Sequence, residues 1–194
     1  SMAQPTVGLV TNAGPAHLEG FGSVEGVAAG KGELFAGLAG TGVAIVNADD
    51  RFAPVWSELA GSRRVITFGL DHPADFTARN IRSSIGDRGP ETAFDLVSPL
   101  GSAYISLKLG GLHNLRNALG AAAATSAAGA RLAEIARGLA SVVPVKGRFE
   151  LKPGINGAFL VDDTYNANPG SLKAGLDPNE HLAIGRALAP LLRA

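Results

Sequence analysis

The stretch from Asn12 to Glu33, NAGPAHLEGFGSVEGVAAGKGE, organises this chain. It follows Val7 to Val10, an apolar run whose length and β-branched content predict a buried strand. A helix is predicted to begin near Ser23, so the residues in between form a loop at the carboxyl end of a strand. In open α/β sheets, ligands bind outside that end of the strands. The stretch therefore predicts an α/β fold with a ligand site at this loop.

Two side chains of this stretch are candidates for chemistry. His17 lies in the loop, where an imidazole can bind a metal or face a phosphate, or can simply hydrogen-bond to the backbone as a loop residue. Lys31 lies on the predicted helix among glycines and alanines that leave its amine unscreened. A solvated surface lysine explains that position as well. Spacing alone leaves both alternatives open for each residue.

The composition excludes several classes of protein. The 194 residues carry 17 basic and 17 acidic side chains, so no basic excess is available for binding nucleic acid. The chain has no cysteine, which excludes disulfides and thiolate metal sites and fits a cytoplasmic protein. We find no apolar run near the roughly 20 residues of a membrane span, and no signal-peptide pattern. We therefore expect a cytoplasmic globular protein with no membrane span.

Further apolar runs extend the α/β pattern. Strands are predicted at Val43 to Val46, Val65 to Phe68, Phe94 to Val97 and Tyr104 to Leu109. Asp49 and Asp50 are interpreted as carboxylates that start a helix running to about Ala60, because acidic side chains are favoured at that end of a helix. Trp56 and Leu59 are expected on the inner side of this helix. The last two strands flank a turn containing Pro and Gly, which predicts a hairpin and hence a mixed sheet.

A long Ala-rich helix is predicted within Gly110 to Ala130, beginning at His113 or Asn114. Asn114 and Asn117 are three residues apart and so point to one side of its first turn. Two neighbouring amides can hydrogen-bond to the edge of a heteroaromatic base, because each offers a donor and an acceptor. Helix capping explains one of the two asparagines equally well.

The region after this helix predicts a second domain. Pro144 and Gly147 interrupt the helical pattern, so we place a domain boundary between residues 145 and 146. Ala158 to Val161 then predicts another buried strand, which ends in DDTYNANP at residues 162–169. A carboxylate and amides at that position can bind a ribose, a phosphate or a substrate. An Asx-turn with Asn168 as a cap is the alternative.

Several of these stretches resemble the Mur ligase family, ATP-dependent enzymes that build the peptide stem of peptidoglycan. They are GPAHLEGFGS, GKGELF, NADD, GLHNLRNALGAA and DDTYNANP. These motifs are most similar to those of members that join D-alanyl-D-alanine to UDP-muramoyl-tripeptide. DDTYNANP is the most specific of them. The resemblance runs from about Val7 to Lys173.

The resemblance implies a role for each matching residue. It implies that His17 and a carbamylated Lys31 hold Mg²⁺ in catalysis. It implies that Asn114 and Asn117 contact the adenine of ATP, Asp163 the ribose and Arg148 the phosphates. An arginine at the start of a strand, like Arg148, is otherwise a surface residue. Tyr165, Asn166 and Asn168 are expected near the substrate, and Asn47 and Asp49 near the nucleotide.

The resemblance also implies the domain organisation. Residues 1–145 would be part of a central ATP-binding domain with a mixed, mostly parallel sheet, and residues 146–194 the truncated start of a Rossmann-like carboxyl-terminal domain. No GxxxxGK(T/S) phosphate loop occurs in the 194 residues, so we expect a fragment without that loop or the UDP-sugar domain, and doubtful activity for it alone. The alternative is a non-catalytic module that binds a nucleotide or self-associates through exposed strand edges.

Overall fold

The computed structural model describes residues 4–15, 18–86, 89–147, 150–155, 159–162 and 164. These residues belong to two compact units, which we describe separately. The first unit draws on Ser1–Arg79, Leu96–Ala103 and Arg116–Ile135, and the second on Asn80–Asp95, Tyr104–Leu115 and Ala136–Ala194.

A parallel sheet forms the centre of the first unit. Its strands are β1 (Val7–Val10), β2 (Val43–Asn47) and β3 (Arg64–Phe68), hydrogen-bonded in that order. The predicted apolar runs thus form the strands, and Ala44, Ile45 and Val46 of β2 are fully buried. Such a continuous apolar run is typical of a strand covered on both faces. Because all the strands are parallel, their carboxyl ends lie at one edge of the sheet.

Helices connect these strands: α1 (Leu18–Phe21), α2 (Val24–Ala36) and α3 (Ala53–Ala60). Helix α2 begins where the sequence predicts, because the Ser23 hydroxyl accepts a hydrogen bond from the backbone N–H of Gly26 at 3.1 Å. Helix α1 is an addition to the sequence prediction. It is a single turn inside the loop that follows β1.

Arg63 ties together the carboxyl-terminal ends of α2 and α3. Its guanidinium donates hydrogen bonds to the carbonyl oxygens of Ala36, Leu38, Ala39 and Ala60 over distances of 3.0 to 3.2 Å. These carbonyls lie at or just beyond the helix ends, where the helix leaves acceptors unsatisfied. A cation is also favoured there by the helix dipole.

Trp56 lies at the centre of the core of the first unit. It is fully buried, as predicted, and its ring packs against Phe35 and Phe52 with centroids 6.4 and 6.3 Å apart. Its indole N–H donates to the carbonyl of Ala28 at 2.9 Å, so the polar atom of the ring is satisfied. Leu59, which the sequence pattern also placed inward, is instead 36% exposed.

The remaining strands form separate sheets. Strands β4 (Thr77–Gly86), β5 (Gly89–Ser98) and β6 (Gly101–Leu107) are paired in that order, with the predicted turn between the last two. Their buried side chains include Phe94, Leu96, Ile105 and Leu107. The α/β class is confirmed. The sequence predicted a mixed sheet, whereas the described strands β1 to β6 form a parallel sheet and a second, separate sheet.

Two helices and a short hairpin complete the described chain. They are α4 (Leu112–Ala127), α5 (Leu132–Ser141), β7 (Glu150–Pro153) and β8 (Phe159–Asp162), and β7 pairs antiparallel to β8. The predicted strand at β8 is confirmed, but its expected burial is wrong at Leu160, which is 60% exposed. Across the residues that the structure describes, no helix has the length and apolarity to traverse a bilayer.

Candidate functional site

The carboxyl edge of the parallel sheet carries a set of polar side chains that bind neighbouring backbone. Asn47, the last residue of β2, is 6% exposed. Its amide nitrogen donates to the carbonyl of Thr11 at 2.8 Å, and its amide oxygen accepts from the N–H of Asp49 at 2.9 Å. One buried amide therefore connects the loop after β1 to the turn after β2. The sequence placed Asn47 here only as a secondary candidate.

Asp50 makes a second connection between these two loops. Its carboxylate accepts from the N–H of Ala13 at 2.7 Å and from the N–H of Phe52 at 2.9 Å. Helix α3 begins at Ala53, with Phe52 at the cap position and Pro54 in the first turn, and no side chain caps it. The prediction that Asp49 and Asp50 start this helix is therefore wrong. Both carboxylates bind backbone of the loops at the sheet edge instead.

Asp49 organises the loop after β3. Its carboxylate accepts from the backbone N–H groups of Leu70, Asp71 and His72 at 2.7, 3.0 and 2.9 Å. Burial raises the pKa of Asp49, but the N–H groups of Leu70, His72 and Asp71 outweigh it and hold that pKa below its usual value. A Cβ at Gly69 would lie 2.7 Å from Asp49 Oδ1, so only glycine allows this close approach.

Arg116, on α4, adds a cation to the same cluster. Its Nη2 lies 2.9 Å from Asp71 Oδ2, and its Nε lies 3.6 Å from Asp49 Oδ2. His72 Nδ1 lies 3.4 Å from Asp49 Oδ1, although the His72 side chain is 66% exposed. Arg116 was not among the site residues predicted from the sequence. The signal that could have indicated it is a charged residue between two candidate asparagines in an Ala-rich helix.

Lys31 lies beside the loop that follows β1. Its side chain is exposed, and its Nζ donates to the carbonyl of Asn12 at 2.8 Å, in the loop directly after β1. The amine thus lies at the carboxyl edge of the sheet and remains open to solvent. No group of three or more His, Cys, Asp or Glu residues suited to a metal occurs in the described part of the chain.

The two asparagines of α4 differ in their surroundings. Asn114 is half-buried, and its amide nitrogen donates to the carbonyl of Gly110 at 2.8 Å, just before the helix. Asn117, one turn further along, is exposed. One N–H of the Asn114 amide is therefore used by backbone, which is not the N-cap bond of the alternative interpretation, because there a side-chain oxygen accepts from a backbone N–H. Asn117 presents its amide to solvent.

The other site predictions lie outside the described residues: His17, Arg148, Asp163, Tyr165, Asn166 and Asn168. Immediately before Asp163, the Asp162 carboxylate accepts from the ammonium of Lys152 and from the Thr164 hydroxyl. The hydrogen bond from Lys152 is the main reason that the pKa of Asp162 falls to about 2. Asp162 is therefore an anion that binds its own neighbours.

The fold and the sheet edge together define a class of protein. A parallel α/β sheet whose carboxyl edge carries a solvent-open amine and a network of amides and carboxylates is the arrangement of a ligand-binding α/β domain. Residues 1–125 match the family model described as the Mur ligase middle domain. The chain therefore belongs to the Mur ligase family.

Individual relatives agree with this assignment. The chain is 45% identical to the UDP-N-acetylmuramoyl-tripeptide–D-alanyl-D-alanine ligase of Escherichia coli strain K12, over 91% of this chain and 38% of the relative. It is 38% identical to the Haemophilus influenzae enzyme of the same name, over 91% and 37%. A crystal structure of MurF from Acinetobacter baumannii superimposes with a TM-score of 0.80 at 35% identity, covering 88% of this chain and 36% of that one. The chain thus spans less than two fifths of the length of each.

Proposed function

We propose that this chain is part of an ATP-dependent amide ligase that adds D-alanyl-D-alanine to UDP-N-acetylmuramoyl-tripeptide in the bacterial cytoplasm. The observation that carries the proposal is the 45% identity to the Escherichia coli ligase of that name across nine tenths of the chain. The carboxylate of the tripeptide would take the γ-phosphoryl group to give an acyl phosphate, and the amine of D-alanyl-D-alanine would then displace phosphate. Peptidoglycan synthesis consumes the product.

The proposed residues divide this work. Asn114 and Asn117 bind adenine, Asp163 binds the ribose, Arg148 binds the phosphates, and His17 with Lys31 holds Mg²⁺, while Tyr165, Asn166 and Asn168 contact substrate. When bound, ATP supplies the phosphoryl group and Mg²⁺ neutralises the charge that develops on it. We also propose the domain boundary between residues 145 and 146 on the basis of Pro144 and Gly147.

The position of Lys31 supports its part in this scheme. Its amine is accessible to carbon dioxide, and the neutral amine would add to the carbon of that molecule and release a proton to form a carbamate. A carbamate turns a cationic side chain into one with two oxygen ligands, which suit Mg²⁺. The hydrogen bond to Asn12 holds this side chain beside the loop that contains His17.

The arrangement at α4 supports base recognition. An adenine edge requires a donor and an acceptor in fixed relation, and a single amide supplies both. Asn117 has its whole amide exposed for that purpose, while Asn114 is half-buried and has one of its two amide hydrogens donated to Gly110. We therefore propose that Asn117 contributes more to base affinity than Asn114.

A chimera of two ligases tests the proposed function. In the Escherichia coli enzyme, the segment that this chain matches is replaced by the matching part of this chain. We expect the chimera to form product from UDP-N-acetylmuramoyl-tripeptide, D-alanyl-D-alanine and ATP, measured as phosphate release and by mass spectrometry of the product. Exchanging segments between members of one family keeps the catalytic groups and the packing of a similar fold. We therefore expect a turnover within about 10- to 100-fold of that of the Escherichia coli enzyme. A folded chimera that binds adenosine without turnover would instead favour the non-catalytic nucleotide-binding alternative.

A further inference from the structure

Arg116 lies immediately before Asn117 on α4, and its guanidinium is directed at two carboxylates. The side chain is 24% exposed, Nη2 lies 2.9 Å from Asp71 Oδ2, and Nε lies 3.6 Å from Asp49 Oδ2. All of these residues belong to the first unit. A guanidinium presents its donors in a rigid planar fork, so simultaneous approach to two carboxylates fixes the direction of the side chain.

The carboxylates that Arg116 meets are themselves fixed. Asp49 is 8% exposed and accepts three backbone N–H groups from residues 70–72, so it holds the loop after β3 to the end of β2. Asp71 belongs to that loop. Arg116 therefore connects α4 to the carboxyl ends of two strands at once.

Helix α4 is packed closely against the sheet one turn after Arg116. A Cβ at Gly120 would lie 3.1 Å from Phe68 Cζ and 3.4 Å from Leu9 Cδ1, so α4 lies tightly against the sheet at that point. Apolar side chains of the same helix, before and after Arg116, are buried as well. The ion pairs of Arg116, one turn before Gly120, add a polar restraint at the residue next to Asn117.

We infer that Arg116 is a positioning residue for base recognition: through Asp49 and Asp71 it fixes the turn of α4 from which Asn117 binds the nucleotide base. The inference rests on the proposed role of Asn117 in adenine binding. Asp49 would then contribute to ligand binding without contacting the ligand. A change in the loop after β3 would then alter the position of Asn117 and so the affinity for the base.

The test compares adenosine affinity among variants of the whole 194-residue chain, by NMR titration of ¹⁵N-labelled protein. We expect Arg116→Met to weaken adenosine binding about tenfold, and Arg116→Lys to weaken it less, because lysine keeps the charge without the fork. Amide hydrogen exchange across residues 115–118 should accelerate by a similar factor in Arg116→Met. Asp71→Asn should weaken binding in the wild-type background and add little in Arg116→Met, because the two residues act as a pair.

Two control variants separate positioning from general stability. Arg137→Met removes an exposed arginine from α5 and should leave adenosine affinity unchanged. Ile66→Val shortens a buried side chain of β3 and should lower stability without changing affinity. Wild-type affinity in Arg116→Met, or equal weakening in Ile66→Val, would overturn the inference alone. A wild-type chain that does not bind adenosine would overturn the proposed role of Asn117 and the inference with it.

Discussion

Replacing Lys31 by alanine in the chimeric ligase is expected to lower turnover by roughly 10²- to 10³-fold. Charge stabilisation of a transferring phosphoryl group by a bound metal contributes several kcal/mol, and each 1.4 kcal/mol or so corresponds to about tenfold in rate. Lys31→Ala removes the proposed carbamate and so the oxygen ligands. The measurement is the initial rate of phosphate release at saturating ATP, tripeptide and D-alanyl-D-alanine.

Two further variants show whether the carbamate or the hydrogen bond to Asn12 matters. Lys31→Arg keeps a cation that can donate to the Asn12 carbonyl but cannot form a carbamate, so we expect it to be as inactive as Lys31→Ala. Lys108→Ala removes another exposed lysine, just after β6, and should retain the rate of the chimera. An active Lys31→Arg variant would show that the amine contributes only by its charge and its hydrogen bond.

Trp56→Ala is expected to lower the free energy of unfolding by about 4 kcal/mol. Truncating a fully buried large aromatic side chain typically costs about 3–5 kcal/mol, because contacts are lost and a cavity remains. Here the ring also packs against Phe35 and Phe52 and donates to Ala28. Urea denaturation followed by circular dichroism measures the change. Tryptophan fluorescence is not suitable, because Trp56 is the single tryptophan of the chain and the variant lacks it.

The neighbouring residue supplies a matched control. Val55 lies on the same helix and is 45% exposed, so Val55→Ala should change the free energy of unfolding by about 0.5 kcal/mol or less. Trp56→Phe keeps most of the ring volume and loses the N–H donor, and we expect an intermediate loss of about 1–2 kcal/mol. Equal stability of Trp56→Ala and Val55→Ala would show that α3 does not anchor this core.

The strands of the parallel sheet and the start of α2 could be predicted because their causes are local. Val7–Val10, Val43–Val46 and Val65–Phe68 are short apolar runs between polar or glycine-containing segments, and Ser23 is a side-chain cap. Local patterns also predicted the turn between β5 and β6. Each of these features depends on residues that are close in sequence.

The work of Asp49 and Arg116 could not be predicted from local patterns. Asp49 looks like a helix-starting carboxylate, but its hydrogen-bond donors lie 21 to 23 residues further along the chain. Arg116 reaches Asp71, 45 residues away, across the connection through β4, β5 and β6. Which of these residues contact each other depends on how strands and loops assemble in three dimensions. Local patterns in a single sequence do not indicate contacts between residues so far apart along the chain. The exposure of Leu59 is missed for the same reason, since helical periodicity gives a face but not how far the core extends.

The central claim is that this chain binds an adenine nucleotide through α4, and a titration of the unmodified chain with adenosine and ATP tests it most directly. Adenosine should shift the ¹⁵N NMR resonance of the Asn117 side-chain amide. The titration should give an adenosine Kd in the roughly millimolar range, as expected for a ligand held by few hydrogen bonds. Asn117→Ala should weaken adenosine and ATP by the same factor, about tenfold, because both ligands share the base. If adenosine shifts no resonance of α4, or Asn117→Ala leaves the adenosine affinity unchanged, the claim is contradicted.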